Sequence, residues 1–462
     1  MTEKIGRLGM TGIFRAGSLK QVRPRHENEQ RRCVFTEKFQ RTPLKEGIYF
    51  TSVHEDKFKY NHISINFVLP LRAETASLYA LLPMVLRRGC RAYPDMTALN
   101  ARLAELYGAQ LEWDVSKRGE TQIVTLYIEV LGDRFALEQE ELLKAGVSLL
   151  RDVVFDPAFE NAAFRAADVA VEKRNLADII RSKLNDKRAY ASYRLREEMC
   201  RGEAFGVNEY GSVEMVEAIT PDALVCAWRE VLTRARAEVL FVGAGDADGA
   251  REVFKLAFNK ILRDQPFFCE TQVIRAPRGV VKETVEHLPV TQAKLGLGFR
   301  AGVALPDAEA DAAQLACTVL GGSPHALLFL NVREKLSLCY YCYARYERHK
   351  GLVFIESGVE EQNAEKARVE ILRQLDALKA GDFSDDDLRF AVLSLQNSYK
   401  ELNDSLEGIA MWYLAQALVG RIRTPEQVAE AIAALSKAEV VHAASGIALD
   451  TVYLLAGEKE AE

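Results

Sequence analysis

The sequence predicts an α+β chain built from two similar domains, each a mainly antiparallel sheet with helices packed on one face. Three observations lead there. At 462 residues the chain exceeds what a single hydrophobic core usually serves. Its strand segments come as hairpin-spaced pairs with helical segments grouped between them, the pattern of an antiparallel or mixed layer. One order of elements also occurs twice, the copies roughly 230 residues apart.

In the first copy, the alternation from His62 to Val68 predicts a strand, followed by a helix over Thr75 to Arg88 that stops at Gly89. A second helix, Met96 to Tyr107, carries Leu99, Leu103 and Leu106 on one face and Gly108 as its cap. Gln110 to Ser116 and Gln122 to Val130 alternate on either side of Lys117-Arg-Gly-Glu120, a hairpin signature. An amphipathic helix is expected from Leu137 to Val154, ending at Asp156-Pro157. Pro157 to Ala235 reads as helices, and Val239 to Gly243 as the last strand of this half.

The second copy repeats the order. A strand (Ala293 to Phe299) precedes a helix (Asp307 to Leu320) that ends at Gly321-Gly322. The next helix is expected over His325 to Leu336. Leu338 to Tyr346 and Leu352 to Val359 form the hairpin, a helix follows over Asn363 to Leu378, and Thr451 to Ala456 matches the last strand of the first half. The expected organisation is a domain over 1–245, a linker over 246–280 that is Pro-containing from Gln265 to Gly279, and a domain over 281–462.

A net charge of -6 and a pI near 5.9 argue against a nucleic-acid partner. The longest strongly apolar run, Leu78 to Leu86, is far short of the roughly 20 residues a bilayer crossing needs, so no membrane span is expected. The first 45 residues hold eleven Lys and Arg against four Glu, with no apolar stretch after them, which does not read as a secretory signal. Eight cysteines are too sparse for a disulfide scaffold, and reduced cysteines in a cytoplasmic protein are expected. Cys226 and Cys317 sit in apolar contexts as core residues. Cys339-Tyr-Tyr-Cys342 is formally a CxxC, but it lies in an aromatic strand-like run, where residues three apart point to opposite faces. The seven histidines (His26, His54, His62, His287, His325, His349, His442) are all more than five residues apart, so no local metal pair exists. His62 reads as a surface residue on its strand, and His325 as a capping or solvent residue at a helix start.

Several blocks carry a resemblance. The clearest is Leu320-Gly-Gly-Ser-Pro-His-Ala-Leu-Leu-Phe-Leu-Asn-Val-Arg-Glu-Lys-Leu-Ser-Leu-Cys-Tyr-Tyr341. Others are Arg87-Arg-Gly-Cys-Arg-Ala-Tyr-Pro94, Leu106-Tyr-Gly-Ala-Gln-Leu111 and Glu197-Glu-Met-Cys-Arg-Gly-Glu-Ala-Phe-Gly-Val-Asn-Glu-Tyr-Gly211. With the duplication, they resemble the M16 (pitrilysin/insulinase-type) zinc peptidases over nearly the whole chain from about residue 45. The resemblance is nearest to the bacterial inactive subfamily called elongation-factor-P 5-aminopentanol modification-associated proteins. Active members carry His-x-x-Glu-His on the first helix, whose imidazoles bind zinc and whose Glu activates water. Aligned from Gly89-Cys90, that motif falls on Ala80-Leu-Leu-Pro-Met84: Ala80 and Met84 replace the histidines and Pro83 the Glu. None of these binds zinc as the motif does or takes a proton. The third ligand's stretch, 172–182, aligns Arg181 with the missing Glu.

Arg333 and Tyr340 keep the family's seven-residue separation. The resemblance implies that this pair reaches into a zinc site made by another half or subunit, where guanidinium and phenol donate hydrogen bonds to a developing oxyanion. From residue types alone, Arg333 would instead pair with Glu334, and Tyr340 would pack in its strand. The function the resemblance implies is that of a non-catalytic subunit: no zinc in this chain, zinc in an M16 homologue bearing the intact motif (or pairing with a second copy of itself), and peptides or unfolded segments as substrate. A peptide is expected to lie extended along a strand edge. The alternative is a catalytically inert scaffold or peptide-binding protein, as the core subunits of respiratory complex III resemble peptidases without acting as one.

Overall fold

A computed structural model describes residues 34–35 and 39–458. The basic segment 1–33, with His26 and Cys33, lies outside them. In chain order, β1 (Val34–Phe35), β2 (Phe39–Lys45), β3 (Ile48–His54) and β4 (Tyr60–Pro70) lead into α1 (Ala73–Leu86) and α2 (Met96–Glu105). The hairpin β5 (Gln110–Arg118) and β6 (Thr121–Leu131) follows, then α3 (Leu142–Phe155), which starts five residues later than the sequence suggests, since residues 137–141 form a loop in which Gln139 adopts φ 61°. A two-residue pair, β7 (Phe159–Glu160) and β8 (Ala163–Phe164), precedes α4 (Ala166–Asn185), α5 (Lys187–Met199), α6 (Val213–Ala218) and α7 (Pro221–Arg234). The half closes with β9 (Arg236–Gly243). Residues expected as linker contain α8 (Ala247–Asn259), whose Phe254 and Phe258 are buried in the first core.

The second half runs β10 (Lys282–His287), β11 (Ala293–Arg300), α9 (Ala310–Gly321), a π-helix (Phe329–Lys335), and the hairpin β12 (Cys339–Glu347) and β13 (Leu352–Val359). Five helices follow: α10 (Ala364–Ala380), α11 (Asp385–Leu402), α12 (Leu406–Leu418), α13 (Pro425–Ala433) and α14 (Lys437–Ser445). The last strand is β14 (Ala448–Ala456).

Both halves share one sheet topology. The first sheet is ordered β1-β2-β3-β9-β4-β6-β5 and the second β10-β14-β11-β13-β12. Removing the β1–β2 extension leaves the same order, with the parallel pair β3–β9 matched by β10–β14 and every other pair antiparallel. The duplication read from the sequence is therefore a duplication of strand order.

Each sheet buries one face under helices of its own half, as expected. Ala237, Val239 and Phe241 of β9 join the first core, and Leu295, Leu297 and Phe299 of β11 join the second. The opposite faces are covered by exchange. Leu240 and Val242 of β9 pack with Ile409, Tyr413 and Leu414 of α12, a helix of the second half. Leu352, Phe354, Tyr453 and Leu455 of the second sheet pack with Leu195 and Met199 of α5, a helix of the first. Glycine makes the second contact close: a Cβ on Gly296 would lie 2.9 Å from Leu195, and one on Gly298 2.6 Å from the Met199 sulfur. The described residues accordingly form one compact unit.

Candidate functional site

The positions of the lost metal motif lie on α1. Its 14 residues are apolar nearly all round, and such a helix is buried on every side. Ala80 is 0% and Met84 3% exposed, both in the first core, and Pro83 is buried beside them. α1 packs against α4, whose Leu176 and Ile180 share that core. The third-ligand stretch supplies no spare carboxylate. Glu172 is 3.3 Å from Arg88, which also holds Asp168 at 3.1 Å, and Arg181 faces outward to Asp178 at 3.3 Å and Glu217 at 3.5 Å. A zinc ion does not fit here. Ala80 and Pro83 offer no donor atom, a thioether is a soft ligand, and the surroundings are hydrocarbon. Among the described residues no group of three or more His, Cys, Asp or Glu converges elsewhere.

Two histidine and cysteine placements, His62 and Cys226, depart from the sequence reading, whereas the exposed His325 agrees with it. His62 is buried, not superficial: its ring stacks on Tyr127 and lies 3.1 Å from Glu129. Both faces of β4 are covered, so alternation did not mark an outer side. His325 is exposed and stacks on Phe390. Cys226, expected in the core, is exposed on α7.

Arg333 and Tyr340 do come together. They line one cavity of about 470 Å³ with Glu334, Ser337, Leu338, Cys339, Glu360 and Asn363. All eight belong to the second half; none of the residues lining it comes from the first. Gly321 sets the frame, because a Cβ there would lie 2.6 Å from the Ala344 backbone nitrogen, so only glycine lets α9 end against β12. The segment expected as an α-helix over His325 to Leu336 is a π-helix over Phe329–Lys335, a geometry often found at functional sites. Arg333 lies in its last turn, 4.6 Å over the Phe329 ring and 3.5 Å from Glu334. Its side chain remains 40% exposed.

Tyr340 owes its position to a β-bulge. Cys339 faces Val359 of β13 and Tyr341 faces Gly358, so Tyr340 is the extra residue and its side chain turns outward, 59% exposed. The same bulge overturns the expectation that Cys339 and Cys342 point to opposite faces: both are buried in the second core. Neither the bulge nor the contributions of Glu360 and Asn363 has a signal in the sequence pattern. Chemically the cavity presents a guanidinium and a phenol, both donors, beside two carboxylates, and opens to solvent. A second cavity of about 510 Å³ adjoins α5 and the start of α1, but most of its charged groups are engaged, Arg194 with Glu197 and Glu198, Arg201 with Glu198, and Glu203 with Arg300 and Lys350.

The sequence profile described as Peptidase M16 inactive domain matches residues 218–395. A Bacillus subtilis protein named probable inactive metalloprotease YmfF is 32% identical over 416 residues, covering 90% of this chain and 97% of its own length. The chain belongs to the M16 peptidase family. Its fold matches solved chains over most of its length. A conserved protein from Enterococcus faecalis superposes with a TM-score of 0.85 at 24% identity, covering 92% of this chain and 100% of its own. A peptidase M16 inactive domain from Pseudomonas fluorescens gives 0.74 at 17% identity, covering 92% and 99%. The M16 resemblance of the sequence is thus confirmed, and in this M16 homologue the positions aligned with the zinc motif are sealed in the core. Among the described residues no helix is long and apolar enough to cross a membrane.

Proposed function

We propose that this chain is the non-catalytic subunit of a two-protein M16 assembly, donating Arg333 and Tyr340 to a site whose metal is carried by a homologue with the intact His-x-x-Glu-His motif. The observation that carries this reading is the shared cavity: two donors seven residues apart are turned outward together by a π-helix and a bulge. A core-packing role would not need either device. Since the lining comes from the second half alone, the surface that completes the site would have to belong to another molecule. In that setting the guanidinium and phenol would hydrogen-bond the carbonyl of a peptide or unfolded segment as negative charge develops on it. β5 and β12 each end a sheet, and such an edge would hold the peptide extended.

A second reading has its own support. Arg333 is already engaged by Glu334 and Phe329, and nothing of the first half's zinc site remains, as suits an inert scaffold or peptide-binding protein, alone or as a homodimer. The two readings separate in one experiment: mix the chain with an M16 homologue bearing the intact motif, and follow cleavage of an unfolded peptide. Cleavage that needs both proteins supports the subunit; peptide binding without added cleavage supports the scaffold.

A further inference from the structure

The bulge in β12 does more than displace Tyr340. Along a regular strand, residues three apart lie about 10 Å from each other and on opposite faces. Here Cys339 stands opposite Val359 and Cys342 opposite Ser357. Those partners are two apart on β13, hence on one face and about 7 Å apart. The extra residue therefore turns both thiols to the same side. Burial along β12 follows suit, since Cys339, Cys342, Ala344 and Tyr346 are its buried residues. The two thiols act on each other's ionisation, and Ser357, opposite Cys342, donates its hydroxyl to the Tyr341 carbonyl at 2.9 Å. A disulfide needs Cα atoms about 4.4–6.8 Å apart, which a bulge reaches with a small adjustment of one backbone turn.

The pair is also differentiated. Cys339 lines the cavity beside Arg333, whereas Cys342 lies behind it, 4% exposed. The neighbouring Cys342 draws the Cys339 thiol below its ordinary range, against the effect of burial and with help from the Arg333 charge. Cys339, with burial, pushes Cys342 well up. A thiol at the cavity wall that ionises first and a deeper one that resolves are the two roles thiol–disulfide exchange requires.

We propose that Cys339 and Cys342 are a redox-active dithiol site whose substrate is a small-molecule disulfide, and which closes to an intramolecular disulfide. The Cys339 thiolate attacks one sulfur of RS–SR, forming a mixed disulfide and releasing RS⁻. The Cys342 thiol then gives up its proton and attacks the Cys339 sulfur, releasing the second RS⁻. Two protein thiols are oxidised and one disulfide is reduced to two thiols. The ring so formed encloses Tyr340 and Tyr341. The site stands whether or not the chain serves a peptidase.

The test uses the full chain and glutathione disulfide over a graded ratio to glutathione, with proteolytic mapping under acid quench. The expected product is a peptide spanning 339–342 lighter by two hydrogens and free of glutathione, while Cys90, Cys200 and Cys317 stay reduced. Cys342→Ser, which cannot resolve, should retain glutathione on Cys339; Cys339→Ser should leave Cys342 unmodified. Circular dichroism confirms that both variants are folded, and the wild-type product is read independently of them. A wild-type chain that stays fully reduced, or keeps glutathione on Cys339 without closing the ring, overturns the proposal.

Discussion

Lys350 Nζ lies 2.6 Å from the Glu120 carboxylate, joining residues 230 positions apart. Both belong to the turn of the hairpin that each copy of the repeat contributes, so corresponding turns of the two halves meet. Lys350 is fully buried and also lies 2.7 Å from Glu203, while donating to the Gln272 carbonyl. Its three donors thus have three acceptors. Arg300 extends the network to Glu203 at 2.7 Å and Asp450 at 3.0 Å. With α5 and α12 exchanged between halves, this buried charge cluster fixes the halves to each other.

Removing Lys350 should therefore be severe. Lys350→Ala leaves Glu120 and Glu203 without their shared cation, a loss of about 3–5 kcal/mol for a broken buried pair. Denaturant unfolding monitored by circular dichroism measures it. A variant as stable as the parent would mean that the turns do not hold the halves together.

Acid should loosen the same network. Burial raises the Glu203 carboxyl, but hydrogen bonds from Arg300 and Lys350 outweigh it, leaving a net lowering. Asp311, buried but held by Arg423 and Arg348, is lowered in the same way. A carboxyl lowered in the folded state contributes stability above its unfolded value of about 4 and loses it as pH falls through the lower folded value. Stability should thus fall below about pH 4, and Glu203→Gln should make that acid limb shallower while costing stability at neutral pH. An acid limb of unchanged steepness in Glu203→Gln would assign the sensitivity to other groups.

The exchanged helices make the halves interdependent. Leu195→Ala on α5 should cost about 2–5 kcal/mol, although its cavity opens against the sheet of the other half. Expressed alone, residues 34–280 lack α12 and would present Leu240, Val242 and Ile123 to water. That fragment should be soluble only when the second half is supplied; a stable monomeric fragment would contradict the exchange.

Much of this fold was legible because period and punctuation agreed. Leu352–Val359 matches its strand to the residue, and the helix expected over Asn363 to Leu378 runs only two residues further, to Ala380, before Gly381 adopts φ 76° as a left-handed cap. The exchange was not legible, although α12 carries apolar residues all round, a pattern that asks for cover on two sides without saying whose. Lys350 sits in Glu347-Arg-His-Lys-Gly351, which reads as a solvated turn, because a buried ion network is assembled from parts distant in sequence. Of the site, Arg333 and Tyr340 were found through the family motif. The bulge that exposes Tyr340 and aligns Cys339 with Cys342 depends on the pairing with β13, and a single strand does not record its register.

The apolar infill around α1 should resist reconstruction of a metal site. Ala80→His places an imidazole where the side chain has no exposed surface, and overpacking of this kind costs about 1–3 kcal/mol before the unpaired polar atoms are counted. Elemental analysis of the Ala80→His, Pro83→Glu, Met84→His variant should find no stoichiometric zinc, since Glu172 remains held by Arg88. Stoichiometric zinc in a stable variant would show that room for the ion persists.

If Arg333 and Tyr340 act in a site completed by another molecule, turnover of the reconstituted pair depends on both side chains. Losing one donor to a developing oxyanion typically lowers the rate about 10²–10³-fold. Arg333→Ala and Tyr340→Phe should each lower peptide turnover by that order while the chain stays folded and partner-bound, and with KM changed less than kcat. Both residues are largely solvent-facing, so their loss should leave unfolding transitions nearly unchanged. Cleavage by both variants at the wild-type rate, with binding intact, would contradict the account and leave the inert scaffold as the better description.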